Sequence, residues 1–150
     1  MSETDNLKIA RSVIGAMNDH HADRYASLLD EGYVGESDAV PAPVRGREAA
    51  RQMMQSYLTA FPDVHYDVES MMASGDSVIT RWKATGTHKG ELAGVAPTNR
   101  RMELHGCTVS EYKNGKVMRA WLYWDTGHLL RQIGVTVPAL GKAGSTKASS

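Results

Sequence analysis

Two hydrophobic periods divide the chain, and the change between them falls near Val64. Before it, apolar residues recur every three or four positions. Leu7, Ala10, Val13, Ile14 and Met17 share one face of a predicted helix, with Thr4 or Asp5 available to cap its start. A second helix is predicted from about Asp23 to Leu29, carrying Tyr25, Leu28 and Leu29, with Gly32 as its C-terminal stop. Residues 35–46 begin and end on glycine and hold two prolines, the composition of a loop. A third helix follows Gly46. Ala49, Ala50, Met53, Met54, Tyr57 and Leu58 form its apolar face, and Phe61-Pro62-Asp63 ends it.

From Val64 onward the alternation is that of strands. Val64, Tyr66 and Val68 alternate with His65, Asp67 and Glu69, and a Ser74-Gly75-Asp76 turn leads into a second strand, Val78 to Trp82. Glycine and proline break residues 86–100 into a loop. A third strand is expected from about Arg101 to Tyr112 and a fourth from Lys116 to Trp124, joined by a Lys113-Asn114-Gly115 hairpin. A short helix, Thr126 to Ile133, closes the pattern. Helices first, then strands, then a closing helix argues for an α+β fold, with helices segregated against one face of a curved antiparallel sheet. Such a sheet leaves a concave pocket on its covered face. Residues 1–137 read as one domain, and the small, polar segment 138–150 as a disordered tail.

Composition narrows the function classes. The 150 residues suit one domain with its own core. Lysine plus arginine equals aspartate plus glutamate, 17 each, so there is no basic excess to neutralise nucleic-acid phosphates or an anionic membrane. No apolar run approaches the roughly 20 residues that span a bilayer, and the polar N-terminus lacks a signal-peptide core. These features lead to the expectation of a cytoplasmic setting. The single cysteine, Cys107, allows neither an internal disulfide nor a cysteine metal cluster. The six histidines show no metal-ligand spacing, so no metal site is assigned.

The candidate chemistry lies on the last hairpin. A two-residue turn would pair Lys113 with Lys116 and set Asp125 opposite Leu104. A three-residue turn with a bulge at Gly115 would pair Tyr112 with Lys116 and set Tyr123 opposite His105. The second is preferred, because it collects Glu103, His105, Cys107, Arg119, Trp121, Tyr123 and Asp125 on one face and Met102, Leu104, Met118, Leu122 and Trp124 on the other. A face with aromatic rings, a carboxylate and an imidazole is what a hydrophobic pocket with a proton-transfer group needs. The same residues have plainer readings. Asp125 stands where the final helix needs an N-cap, Arg119 and Glu103 could be a solvated cross-strand pair, and Trp121 and Tyr123 could be core.

Taken together, GTHKG at residues 86–90, Pro97-Thr98-Asn99, the Asn-Gly-Lys hairpin, and Trp121-x-x-x-Asp125 followed by LLRQIG resemble the SnoaL-like polyketide cyclases, of the nuclear transport factor 2-like superfamily. The resemblance runs over roughly residues 6–134. It implies a cone-shaped α+β barrel, a homodimer, and an intramolecular aldol condensation that closes a ring of an aromatic polyketide without cofactor or metal. In such enzymes an aspartate moves the proton while the pocket stabilises an enolate, and Asp125 matches that aspartate. Trp121 matches the motif's tryptophan. His105, Tyr123 and Arg119 join them from the hairpin register, and Tyr33 and Glu36 from the segment YVGES, where relatives often carry a histidine near Glu36. The family and its superfamily also hold polyketide hydroxylation components and non-catalytic binding or dimerisation modules, so three functions stay open.

Overall fold

The computed structural model describes residues 2–141. Ten elements follow one another: α1 (Glu3–Asn18), α2 (Ala22–Ser27), β1 (Leu29–Glu36), β2 (Val44–Arg45), α3 (Arg47–Ala60), β3 (His65–Ser74), β4 (Ser77–Thr87), β5 (Arg101–Lys113), β6 (Lys116–Trp124) and α4 (Thr126–Gln132). The six strands form one sheet in the order β2-β1-β6-β5-β4-β3. It curls without closing, leaving β2 and β3 as edges. The α+β architecture is the one expected. Residues 138–141 carry no helix or strand, and the rest of the expected tail lies outside the described residues.

Several boundaries differ from the sequence expectation. Ser2, rather than Thr4 or Asp5, caps α1. Its hydroxyl accepts from the Asp5 amide at 3.0 Å, and the Asp5 carboxylate accepts from the Ser2 amide at 3.2 Å, a reciprocal capping box. The second helix stops at Ser27. Leu29, Tyr33 and Gly35 turn inward along β1, which pairs in parallel with β6, so Gly32 lies within a strand and does not terminate a helix. A bulge between Leu29 and Val34 hides the alternation, because two buried positions are set four apart. Part of the expected loop is β2, which pairs Val44 and Arg45 with Gly35 and Val34.

The last hairpin corrects the preferred register. Lys113 pairs with Lys116 across a two-residue turn, with Asn114 at φ 51° and Gly115 at φ 78°. Both central residues in the left-handed region define the turn whose twist matches the strands, which is why Asn-Gly is suited to it. A bulge then inserts Met118, so Tyr112 pairs with Val117 but Glu111 with Arg119. Tyr123 consequently faces Cys107 instead of His105, and Trp124 faces Gly106. The bulge lets both Val117 and Ala120 turn to the buried side, and Met118 leaves the inner row where it was expected.

The helices pack on the inner side, α4 through Leu129. α1 crosses β3 and β4, and α3 lies over β1 and β2. Two apolar clusters result. One joins Met54, Leu58, Phe61, Trp82, Met102, Leu104, Leu129 and Ile133, and the other joins Ala10, Leu29, Tyr33, Val78, Tyr112 and Val117. The GTHKG and Pro-Thr-Asn segments belong to the scaffold. His88 is fully buried against Phe61, and its Nδ1 accepts the Thr98 amide at 3.2 Å with the Thr98 hydroxyl 3.0 Å away. Asn99 adopts φ 62°, which asparagine tolerates.

Candidate functional site

Between α1, α3 and the inner face of the sheet lies a cavity of about 180 Å³. The even-numbered residues of β4 and β5 build its floor, because strand side chains alternate and the helices cover that side. One end is aromatic. The rings of Tyr66 and Trp82 meet edge to face at 5.7 Å, Trp82 and Trp124 are 6.3 Å apart, and Tyr57 and Trp124 meet edge to face at 6.0 Å. The Trp82 indole donates to the Thr108 hydroxyl at 2.9 Å, which fixes the ring's orientation.

The other end carries hydroxyls. Tyr25, Tyr33, Thr80, Ser110 and Tyr112 all line the cavity. Tyr25 and Tyr33 are neighbours there, and Ser110 Oγ lies 3.0 Å from the Tyr112 hydroxyl. Burial raises the phenols of Tyr25, Tyr57, Tyr66 and Tyr112 and brings Tyr33 up to about 12. The physical cause is the cost of a phenolate in an apolar enclosure. These tyrosines are therefore neutral hydrogen-bond donors at any ordinary pH, and none is a base.

The residues expected to form the site divide between two surfaces. Tyr33 and Glu36 border the cavity. The Glu36 side chain, however, pairs with Arg119, whose Nε donates to Oε2 at 3.0 Å and whose guanidinium lies 5.1 Å over the Trp121 ring. Arg119, Trp121, Tyr123 and His105 share a face, as the alternation predicted, but it is the outer one. His105, Tyr123 and Asp125 border a shallow depression there with Glu69, Arg81 and Cys107. His105 lies 3.6 Å from the Glu69 carboxylate and is mostly exposed. Asp125 is the N-cap of α4, its Oδ1 accepting the His128 amide at 3.0 Å. Apart from Met118, the split into two faces follows the expected alternation, and the inner cavity lies on the apolar face while the expected polar-aromatic face borders only the shallow depression. The helices cover the apolar face, since that burial is the larger hydrophobic gain.

Of the hydroxyl-bearing lining residues, sequence reasoning named Tyr33 and missed the others. Their signal was present as Thr80 beside Trp82, and as Thr108, Ser110 and Tyr112, all at the inward parity of their strands. Among the described residues there is no group of three or more histidine, cysteine, aspartate or glutamate side chains that could hold a metal, and no helix long and apolar enough to cross a membrane.

The model of the SnoaL-like polyketide cyclase family matches residues 8–133. The chain belongs to this family. Among solved structures, AclR of Streptomyces galilaeus, described as a proposed hydroxylase, is 28% identical with a TM-score of 0.80, covering 89% of this chain and 98% of AclR. IdmH of Streptomyces antibioticus, a proposed polyketide cyclase, is also 28% identical, with a TM-score of 0.74 over 87% of this chain and 99% of IdmH. A proposed SnoaL-like polyketide cyclase from Jannaschia, at 20% identity and TM-score 0.82 over 90% and 95% of the two chains, shares the fold. Comparison with curated protein sequences gives no significant match. In this SnoaL-like chain, the family motifs thus mark the scaffold, while the covered cavity carries the hydroxyls.

Proposed function

We propose that the chain binds a conjugated carbonyl compound of polyketide type in the inner cavity and promotes an aldol-type ring closure there. The observation that carries this reading is an aromatic-lined, largely apolar cavity whose polar groups include neutral tyrosine hydroxyls. A β-dicarbonyl compound is already partly enolic, so it needs little help from a base. Its enol carbon attacks a second carbonyl of the folded molecule, forming the new carbon–carbon bond. The carbonyl π pair moves to oxygen, and the enol proton passes to that oxygen through the tyrosine hydroxyls. Confinement supplies proximity, and the neutral Tyr33 hydroxyl donates to the developing negative charge. Asp125 acts as a cap in this scheme, because its carboxylate does not border the cavity.

Turnover of a linear aromatic polyketide precursor tests this. Tyr33→Phe should lower kcat on the order of a hundredfold, the usual loss for one donor to a developing oxyanion. Asp125→Asn should stay within about threefold, since asparagine caps as well as aspartate. Collapse of activity in Asp125→Asn with Tyr33→Phe unaffected would restore the aspartate as general base.

Similarity to AclR supports a second reading, a hydroxylation component. It predicts oxygen uptake dependent on a reductase and a product heavier by one oxygen atom, whereas the ring-closure reading predicts neither.

The outer face suits a second copy of the chain. Met72, Ile79, Val109 and Trp121 lie in one row across β3, β4, β5 and β6, and Met72 and Ile79 are exposed. An apolar stripe across an uncovered sheet face marks an association surface.

A further inference from the structure

The inner floor contains a row in which two tryptophans flank a glycine. Trp82 on β4 pairs with Gly106 on β5, and Gly106 pairs with Trp124 on β6. The missing side chain is used. A Cβ placed on Gly106 would overlap the six-membered ring of Trp82, so the indole lies down onto the backbone of β5. Its N–H is held by Thr108 two residues along the same strand, which prevents the ring from sliding sideways. Tyr66 blocks it on one side and Trp124 on the other. The remaining direction for a displaced ring is up, into the cavity.

We infer that Gly106 is a specificity-determining residue: by letting Trp82 lie flat it sets the depth of the aromatic end, and it restricts the substrate to a planar carbonyl compound of one ring or two fused rings. The inference deepens the proposed function and rests on it. The volume supports the limit. A cavity of about 150 Å³ is known to take benzene, whereas drug-sized ligands occupy roughly 300–1,000 Å³. At about 180 Å³, this cavity has room beyond one ring but falls short of a tetracyclic skeleton. The hydroxyls at the opposite end would meet the carbonyl oxygens while the ring system rests against Trp82 and Trp124.

The test is calorimetric titration with hydroxyacetophenone, hydroxyacetylnaphthalene and tetracenequinone. The unmodified protein should bind the first two and not the third. Gly106→Ala should weaken the naphthalene by about tenfold, the cost of overpacking a filled site, and leave the acetophenone within about threefold. Adding Trp82→Phe to Gly106→Ala should restore naphthalene binding, which a general loss of stability would not do. Equal binding of tetracenequinone and the naphthalene by the unmodified protein would overturn the size limit, even if Gly106→Ala fails to fold. Unchanged naphthalene affinity in a folded Gly106→Ala variant would overturn the role of Gly106. Failure of all three compounds to bind the unmodified protein would instead sink the cavity reading itself, and this inference with it.

Discussion

Asp125 and Tyr33, both expected at the site, stand in different surroundings: the first caps α4 and the second lines the inner cavity. The aspartate sits in the motif where the family resemblance implies a general base, but its carboxylate is directed at the first turn of α4 and away from the cavity. Tyr33, expected to bind substrate, is 4% exposed and lines the cavity. A cap has a measurable consequence apart from chemistry. Asp125→Ala should destabilise the fold by about 1 kcal/mol in urea denaturation, and Asp125→Asn by only a few tenths. Equal losses in the two variants would show that the carboxylate does something other than cap. The sequence alone did not separate these roles, because a cap and a base both require an oxygen acceptor at the junction of strand and helix.

At the scale of elements, the long periodic segments were legible and the bulged ones were not. α1, α3, β5 and β6 fall within a few residues of their expected bounds, since each carries several apolar residues at one period, whereas β4 runs five residues past the expected Trp82 to Thr87. β1 escaped notice because its bulge breaks the alternation between Leu29 and Tyr33, and its glycines resemble helix stops and loop residues. The hairpin failed for a related reason. Asn114-Gly115 fixes the turn, but Met118 adds a residue further along β6, and no local rule locates a bulge placed after a regular turn. Parity survived this error. The two shifts displace the pairing by an even number of residues, so beyond Met118 the faces kept their expected sides while the individual partners changed.

The whole molecule decides which face of the sheet carries the cavity. Strand alternation defines two faces without saying which one the helices will cover, and the polar-aromatic face looked more chemical. Covering the apolar face removes more nonpolar surface from water, so the cavity formed there and the ionisable groups were left outside. That outer face then presents the row from Met72 to Trp121. In sedimentation velocity the protein should run as a dimer at micromolar concentration, and Ile79→Lys, which puts a charge in the centre of the row, should run as a monomer. A monomeric unmodified protein would remove the outer stripe as an association surface without touching the cavity.

The central claim is that chemistry belongs to the covered hydroxyl-lined cavity and not to the outer depression. NMR shift mapping during titration with hydroxyacetylnaphthalene tests it most directly. The cavity account predicts that the amides and side chains of Tyr33, Trp82, Thr108, Ser110 and Trp124 shift, with saturation at one ligand per chain, while His105, Tyr123 and Asp125 stay in place. Shifts centred on His105, Tyr123 and Asp125, with the cavity residues unmoved, would contradict it.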